Sequence, residues 1–392
     1  MINLKNTIKK LSASYANEFI EVRHHLHANP ELSFAEFETS KFIQQKLTAW
    51  GIDFSVMAKT GVVAIIKGKN PGAKVIALRA DMDALPINEL NNVEYRSKKE
   101  GIMHACGHDV HTTCLLGAAK ILQQLKDEWN GTIKLIFQPG EEKNPGGASI
   151  LIKEGVLENP APQAIYALHV NPSLQVGKFS FRSGMAMASA DEIYITVKSK
   201  GGHAAAPHLT SDTLLAASQM VVNLQQVVSR MNNPFNPSVL SITSVQGGNT
   251  TNVIPSEVKM MGTFRAMNEE WRFKAHELIK NICENTAAMN GAQTEVHIDV
   301  GYPFLINNEE LTVKAIRNAI EFMGTENVEE TEIRMGAEDF AFYSQKIPAC
   351  FFRLGTGNKE KNITSGVHTP TFNIDESAIT NGMGMMAWLA IQ

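Results

Sequence analysis

The stretch "MHACGHDVHTTC", residues 103–114, concentrates side chains that can bind a metal ion or move a proton. It holds three histidines, two cysteines and one aspartate within twelve residues. Thiolate, imidazole and carboxylate groups together suit a borderline divalent cation such as zinc. The stretch alone leaves three interpretations open: a metal site, an active site with a cysteine nucleophile, or the polar start of a helix.

Acids and another histidine stand at the polar ends of three further apolar segments. In chain order these residues are Asp81, Asp83, Glu141, Glu142 and His169. In an open parallel sheet, ligands bind beyond the carboxyl ends of the strands. We therefore expect these side chains and the histidine–cysteine stretch to meet at one edge of a sheet.

The spacing of these residues suggests which of them bind a metal ion and which acts as a base. Residues i and i+2 of an extended segment point to the same side, so Cys106 and His108 can bind one centre together. Glu141 and Glu142 are adjacent and point apart. That arrangement suits one carboxylate as a metal ligand and its neighbour as a free base.

Three other kinds of site fit the residues less well. A cysteine nucleophile would use Cys106 with a nearby histidine, and it gives no role to so many carboxylates. A structural zinc site prefers two paired Cys/His clusters, and the chain has only one such pair. A zinc nucleoside deaminase requires a C-x-x-C motif, which does not occur in the chain.

The elements that position these residues are predicted to form an α/β fold. Apolar segments at 61–68, 74–86, 131–142 and 163–172 are typical of buried strands, and 110–125 has helical spacing. Strands of this kind, alternating with helices, indicate a mostly parallel central sheet with helices on both faces. Further helices are predicted at 5–28, 309–323 and 336–345. The histidines at 24, 25 and 27 are expected on the surface of the first of these helices.

A different pattern occupies residues 186–304. Its elements follow the order β-α-β-β-α-β, which is typical of a ferredoxin-like antiparallel sheet backed by two helices. We therefore predict a catalytic domain of residues 1–185 and 305–392, interrupted by an inserted domain of residues 186–304.

Polar residues in the later part of the chain add to the candidates. His203 follows a Gly-Gly pair in "KGGHAAAPH", and Asn252 and Arg265 stand in "GNTTNVIP" and "GTFRA". An arginine can clamp a carboxylate through two parallel hydrogen bonds. His368 precedes a Thr-Pro pair in "SGVHTPTF".

The bulk properties exclude several classes of function. A chain of 392 residues predicts about two domains. The net charge of −4 and the pI of about 6.3 do not favour binding to nucleic acid or to an anionic membrane. The four cysteines have no paired spacing, and no long apolar run is present, so we expect a cytoplasmic protein.

The motifs as a set resemble one enzyme family. "RADMDALP", "MHACGHDVH", "FQPGEE", "GGHAAAPH", "NVIP", "GTFR", "MGAEDFA" and "GVHTPTF" occur in this order. They are similar to di-metal amidohydrolases and peptidases related to carboxypeptidase G, aminoacylase and succinyl-diaminopimelate desuccinylase. The branch with the most similar motifs contains hippurate hydrolase, indole-acetyl-amino-acid hydrolases and N-acetyl-diaminopimelate deacetylase. The resemblance spans nearly the whole chain.

The resemblance implies two divalent metal ions per subunit, of zinc, manganese, cobalt or nickel. The implied ligands are Cys106 as a bridge between the ions, His108, Glu142, His169 and His368. Glu141 would be the general base and Asp83 an orienting acid. Asp81 falls where other branches have a metal-binding histidine, so its role stays open.

The resemblance also implies roles for the inserted domain as a lid and dimerisation domain. His203 would reach the active site of the neighbouring subunit of a homodimer or larger homo-oligomer. Asn252 and Arg265 would hold the carboxylate of the substrate.

The expected reaction is hydrolysis of the amide bond of a small N-acyl amino acid by a metal-activated water, with Glu141 as base. One alternative is an exopeptidase of the dipeptidase or aminopeptidase type. The other is a non-catalytic metal-binding protein on the same fold, although a purely structural site needs no spare base.

Overall fold

The computed structural model describes residues 3–392, which form ten α-helices and sixteen β-strands. The helices are α1 (Leu4–Ser14), α2 (Ala16–Ala28), α3 (Phe37–Ala49), α4 (His108–Gln124), α5 (Gly147–Lys153), α6 (Thr213–Gln226), α7 (Glu269–Met289), α8 (Glu309–Met323), α9 (Ala341–Ser344) and α10 (Ser377–Ile391). The strands are β1 (Asp53–Met57), β2 (Gly61–Lys67), β3 (Val75–Asp81), β4 (Thr132–Gln138), β5 (Ala164–Gln175), β6 (Phe179–Phe181), β7 (Gly184–Met187), β8 (Asp191–Lys198), β9 (Gly202–His203), β10 (Ser238–Gln246), β11 (Val253–Ile254), β12 (Glu257–Ala266), β13 (Gln293–Val300), β14 (Leu305–Asn307), β15 (Val328–Glu330) and β16 (Ala349–Gly357).

The chain divides into two compact units. The first contains the residues up to Gly184 together with Ile306–Glu332 and Asp339–Gln392. The second contains Met185–Leu305 and Ile333–Glu338. The sequence-based boundaries placed residues 333–338 with the catalytic part of the chain, and here they group with the second unit.

The first unit is built on an eight-stranded sheet in the order β1-β2-β4-β3-β5-β16-β6-β15. The four central strands β4, β3, β5 and β16 are parallel to one another, and β1, β2 and β6 join the sheet through antiparallel pairs. Every residue of β4 and of β16 is buried. Strands buried on both faces require cover on both sides of the sheet. The predicted α/β class, with its mostly parallel centre, is confirmed.

The register of the central strands aligns the ends that carry the candidate residues. Asp81, the last residue of β3, pairs with Gln138, the last residue of β4. His169 of β5 pairs with Arg353 of β16. The helix α4 packs against β3 and β5 and is buried along almost its whole length. Its first turn therefore lies at the same edge of the sheet.

Two of the predicted helices differ from those observed. The segment predicted as one helix at 5–28 is divided at Tyr15 into α1 and α2. The segment predicted as a helix at 336–345 contains only the four residues of α9, Ala341–Ser344. The helix predicted at 309–323 is observed with those bounds as α8.

The second unit has a four-stranded antiparallel sheet in the order β10-β12-β8-β13. Along the chain, β8, α6, β10, β12, α7 and β13 follow the predicted β-α-β-β-α-β order. Buried residues alternate with less buried ones along β8. This is the pattern of a sheet with one face against its helices.

Among residues 3–392, none of the helices combines the length and the apolar character that crossing a membrane requires. All four cysteines are buried and none forms a disulfide.

Candidate active site

The thiol of Cys106 lies where three distant segments of the first unit meet. Its Sγ atom is 3.5 Å from Nε2 of His169 and 3.3 Å from Nε2 of His368. Cys106 precedes α4, His169 lies in β5, and His368 belongs to the loop before α10. The backbone N–H of His368 donates to the carbonyl of Ala105 at 2.8 Å, which holds this loop against the thiol.

Five side chains form two overlapping groups around this thiol. The first group is Cys106, His108 and His169, and the second is Cys106, Glu142 and His368. Within each group the possible ligand atoms all lie within 4.8 Å of one another. The structure thus brings together all five residues that the resemblance suggested as ligands. Cys106 is common to both groups, as a bridging residue must be.

A glycine turn aims Cys106 and His108 at the same centre. Gly107 has a φ of 86°, in the left-handed region, which residues with a Cβ atom adopt only with strain. A Cβ atom here would lie 2.5 Å from Cγ2 of Val170. The helix α4 begins directly afterwards at His108. The side chains therefore converge through this turn, and not through the extended backbone that their spacing suggested.

His108 is oriented by Asp83. Its Nδ1 atom lies 3.1 Å from Oδ1 of Asp83, and because a carboxylate only accepts, Nδ1 carries the proton. The Nε2 atom is buried and has no hydrogen-bond partner among residues 3–392. It lies 4.0 Å from Oε2 of Glu141 and 4.0 Å from Oε1 of Glu142. A carboxylate behind the far nitrogen is the usual support of a metal-binding histidine.

His169 and His111, whose ring centroids are 4.6 Å apart, make different contacts. Nδ1 of His169 donates to the carbonyl of Val170 at 2.8 Å, which leaves the lone pair of Nε2 directed at Cys106. His111 donates from Nδ1 to Asp81 at 2.6 Å, and its Nε2 accepts the N–H of Val170 at 2.9 Å. Because both nitrogens of His111 are engaged within the protein, it does not join the ligand groups.

The structure gives Asp81 a supporting position. One oxygen accepts from Nη1 of Arg79 at 2.6 Å and the other accepts from His111. Burial alone would raise the pKa of Asp81, but Arg79, His108 and His111 hold it well below its usual range. The ionised carboxylate is thus used to fix Arg79 and His111, although its Oδ2 atom is also 3.7 Å from Nε2 of His108.

The turn after β4 presents its two acids differently. The backbone N–H of Glu142 donates to Oδ2 of Asp83 at 3.0 Å, and its Oε1 atom lies 3.2 Å from Nε2 of His368. The side chain of Glu141 is buried, and its Oε1 atom accepts from the backbone N–H of Asp339 at 3.4 Å. Glu142 therefore faces the second ligand group, while Glu141 stands beside both groups.

Burial and the neighbouring carboxylate of Glu142 shift the pKa values of the thiol and imidazoles at the site. Burial, followed by the charge of Glu142, raises the pKa of the Cys106 thiol. Hydrogen bonds to Cys106 and Glu142 raise the pKa of His368 to about 10. Burial keeps the pKa of His169 well below its ordinary value, so this imidazole is neutral. A neutral imidazole beside acidic groups favours the binding of a cation.

The remaining predicted residues lie in the second unit. His203 is exposed, and its Nδ1 atom accepts the N–H of Ala205 at 3.0 Å, so Nε2 carries the proton and is a donor. The carbonyl of Asn252 accepts the N–H of the residue after His203 at 3.0 Å, so these two residues are neighbours. Arg265 is half-buried in β12, and its Nε donates to Oγ1 of Thr263 at 3.1 Å.

Asp339 supports Glu141, although the sequence analysis assigned it no role. Its carboxylate accepts from Nη2 of Arg79 at 2.7 Å, from Nε2 of Gln138 at 2.8 Å and from the N–H of Ala148 at 2.9 Å. Asp339 belongs to the motif "MGAEDF". An acid in a short polar motif after the inserted segment was the available signal.

The prediction that His27 lies on the surface is wrong. Its side chain is buried, with Nδ1 2.8 Å from Oδ2 of Asp109 and Nε2 3.1 Å from Oε1 of Glu89. The reason is that α2 packs against α4. Asp109 also accepts from Nε of Arg23 at 2.9 Å, so its carboxylate binds two side chains of α2. Burial lowers the pKa of the neighbouring His104 to about 4.

Comparison with known proteins places this site in a family. A sequence profile described as peptidase family M20/M25/M40 matches residues 77–392. The chain is 40% identical over 382 residues to N-acetylcysteine deacetylase of Bacillus subtilis (strain 168), covering 96% of this chain and 97% of that protein. It is 39% identical over 394 residues to thermostable carboxypeptidase 2 of Saccharolobus solfataricus, covering 99% and 98%. The crystal structure of the Bacillus subtilis YXEP protein, a dinuclear metal-binding peptidase of the M20 family, has a TM-score of 0.84 at 37% identity and covers 97% of this chain and 98% of that one. The chain therefore belongs to peptidase family M20/M25/M40.

Proposed function

We propose that this protein hydrolyses the amide bond between an acyl group and an amino acid that keeps a free carboxylate. The observation that carries the proposal is the pair of ligand groups sharing Cys106, with the buried carboxylate of Glu141 beside both. The similarity to a Bacillus subtilis N-acetylcysteine deacetylase supports this class of substrate.

The donor atoms fit two divalent metal ions. Nε2 of His108 is buried and has no hydrogen-bond partner within residues 3–392, which is costly unless another group binds it. Cys106, His108 and His169 would hold one ion, and Cys106, Glu142 and His368 the other. Thiolate, imidazole and carboxylate form a donor set that suits zinc and similar ions. When bound, the ions would polarise the amide carbonyl and lower the pKa of a water molecule toward ~7.

Glu141 is the proton carrier of the reaction. Its carboxylate takes a proton from the attacking water and delivers it to the nitrogen of the leaving amine. General acid–base catalysis of this kind contributes roughly 10²–10⁴-fold to a rate. The N–H of Asp339 holds one oxygen of the carboxylate, and burial shields the group from bulk water.

Arg265 and Asn252 recognise the carboxylate of the substrate. The guanidinium of Arg265 uses Nε for Thr263, which leaves the two terminal nitrogens in a fork that matches a carboxylate. Burial lowers the pKa of Arg265, but guanidinium stays charged in proteins. Recognition of this kind favours N-acyl amino acids with a free carboxylate over the same compounds with that carboxylate amidated.

His203 stabilises the developing oxyanion in the site of a neighbouring subunit of a homodimer. Its protonated Nε2 atom is exposed and can donate to a group on another chain. A preorganised donor at the oxyanion contributes roughly 10²–10³-fold to kcat. This role requires an assembly in which each active site is completed by its partner.

Mixing two inactive variants tests this sharing. His203→Ala and Glu141→Gln should each be nearly inactive alone. After subunit exchange, half of the dimers are mixed and each has one intact site, so activity should recover to about a quarter of the wild-type value. Each homodimer re-mixed with itself is the control. Absence of recovery, with exchange shown by mass spectrometry, would exclude donation across subunits.

An exopeptidase is the second candidate, because a Saccharolobus solfataricus relative is named a thermostable carboxypeptidase. A peptide with a free terminal carboxylate presents the same amide and the same anion to Arg265. An aminopeptidase or dipeptidase would in addition need a pocket for a free α-amine.

A substrate panel measured with and without a chelator separates these functions. We expect hydrolysis of N-acetyl amino acids and hippurate to exceed that of dipeptides, and amidation of the carboxylate to lower kcat/KM at least ~10-fold. Metal depletion should abolish activity, and zinc, manganese, cobalt or nickel should restore it. Undiminished turnover after depletion contradicts the proposal, and a preference for peptides favours the exopeptidase.

A further inference from the structure

The segment "ELSFAE", residues 31–36, links α2 to α3 and contacts the active site from outside the ligand groups. No step of the proposed reaction uses it. Its three polar side chains, Glu31, Ser33 and Glu36, are largely buried in the first unit and each makes a hydrogen bond to another segment. These bonds raise the question of which groups the loop holds in place.

Glu36 joins three pieces of chain through one carboxylate. Its Oε1 atom accepts the backbone N–H of Phe34 and that of Gly140, both at 2.8 Å. Its Oε2 atom accepts from Oγ1 of Thr60, also at 2.8 Å. The side chain has no exposed surface. Gly140 directly precedes Glu141, so this carboxylate holds the backbone next to the general base.

These bonds do not serve the helix at whose start Glu36 stands. Glu36 is the N-cap residue of α3, a position that favours Ser, Thr, Asp or Asn, and its side chain makes no capping bond. Oε2 of Glu31 instead accepts the N–H of Thr39 in the first turn of α3, at 2.9 Å. The carboxylate of Glu36 instead binds its own loop, Thr60 and the turn after β4.

The turn that carries Glu141 is held from two sides. Gly140 has a φ of 57°, and a Cβ atom there would overlap the ring of Phe34. Its carbonyl accepts the N–H of Gly147 at 2.9 Å. With Glu36 on the N–H of Gly140, Gly147 on its carbonyl and the Phe34 ring against its Cα, Gly140 has little freedom to rotate.

The same segment also supports the ligand groups. Oγ of Ser33 donates at 2.7 Å to Oδ2 of Asp83, the carboxylate that orients His108. Asp83 receives the backbone N–H of Glu142 as well. One short loop therefore holds both Asp83, which orients the proposed ligand His108, and Gly140, which precedes the proposed base Glu141.

We propose that Glu36 is a positioning residue. It fixes the backbone of Gly140, the residue before Glu141, and thereby the direction of the catalytic carboxylate. This inference rests on the proposed function, because it requires Glu141 to be the general base. A purely structural Glu36 would lower stability when replaced and leave the turnover of the folded enzyme unchanged.

Three substitutions of Glu36 distinguish the effect of its side-chain length on kcat from the effect of its charge. Glu36→Ala should lower kcat about 10–100-fold, since small misplacements of a catalytic group have effects of this size, with KM and metal content unchanged. Glu36→Asp keeps the charge but falls short of Gly140, so kcat should also fall, and this variant carries the test where Glu36→Ala does not fold.

Glu36→Gln should be close to the wild type. Its Oε1 can accept both backbone N–H groups, and its amide can donate to Thr60. Burial, followed by the charge of Asp83, raises the pKa of Glu36 to about 7, so a neutral amide is a near substitute. Glu31→Ala is the matched control, since it removes another buried carboxylate–backbone bond of the same loop. It should lower Tm and keep kcat.

A double variant identifies the route of the effect. If Glu36 acts through Glu141, adding Glu36→Asp to Glu141→Gln should cause no further loss of kcat. Multiplicative losses, an unchanged kcat in folded Glu36→Asp, or an equal loss in Glu31→Ala would each overturn the positioning role. Full activity of Glu141→Gln would instead overturn the proposed function, so the two failures are distinguishable.

Discussion

Replacement of Glu141 by glutamine should lower kcat by roughly 10²–10⁴-fold and leave the metal content unchanged. Glutamine keeps the size of the side chain and can still accept the N–H of Asp339. Its amide cannot take the proton of the attacking water. Because Glu141 lies outside the two groups that share Cys106, the metal ions keep all their proposed ligands. Steady-state kinetics on an N-acetyl amino acid and elemental analysis of the purified variant measure the two quantities.

The neighbouring acid provides the matched control. Glu142→Gln removes the charge beside His368 and should reduce the metal content as well as activity. The two variants differ by one position in one turn, so a general loss of folding would affect both alike. Wild-type turnover in Glu141→Gln would contradict its role as base. Loss of metal in Glu141→Gln would make it a ligand instead.

The fold class was predictable because burial leaves a clear pattern in the central strands. β4 and β16 are buried on both faces, and each contains a short apolar run, at 135–137 and 349–352. The edge strand β1, Asp53–Met57, is largely exposed and has no such run. The sequence pattern therefore did not predict it. The length of α9 was overestimated because the acids of "MGAEDF" resemble the start of a helix. One of them, Asp339, instead binds Arg79 and Gln138.

The resemblance predicted the five residues that meet around Cys106. It did not predict the residues that hold them in place. Residue types and strand ends brought Cys106, His108 and Glu142 to one edge of the sheet, while the loop residue His368 came only from the motif. The pairing of Asp81 with His111 depends on the distance between β3 and α4, which no local spacing encodes. The same limit explains why a role for Glu36 could not be seen: Glu36 and Gly140 are far apart in sequence and meet only in the folded chain.

Replacement of Cys106 by serine should remove both metal ions together and abolish turnover. Cys106 is common to both ligand groups, whereas every other proposed ligand belongs to one of the pair. A serine hydroxyl ionises far less readily than a thiol and is a poor ligand for a borderline ion. Loss of an outer-shell partner already weakens metal binding 10–100-fold, so we expect at least ~100-fold weaker binding of both ions. Competition with a chelating dye measures the two affinities.

Two further cysteine variants sharpen the result. Cys114→Ser alters a buried thiol of α4, the helix that follows Cys106, and its Sγ lies 3.8 Å from the carbonyl of Ile379. It should change stability and keep both ions. Cys106→Asp places a carboxylate, which can also bridge two ions, at the same position, and it should recover metal binding where serine does not. Two ions bound to Cys106→Ser with wild-type affinity would exclude the thiol as a bridge. Loss of one ion alone would assign Cys106 to a single group, because a shared ligand cannot be removed from one ion only.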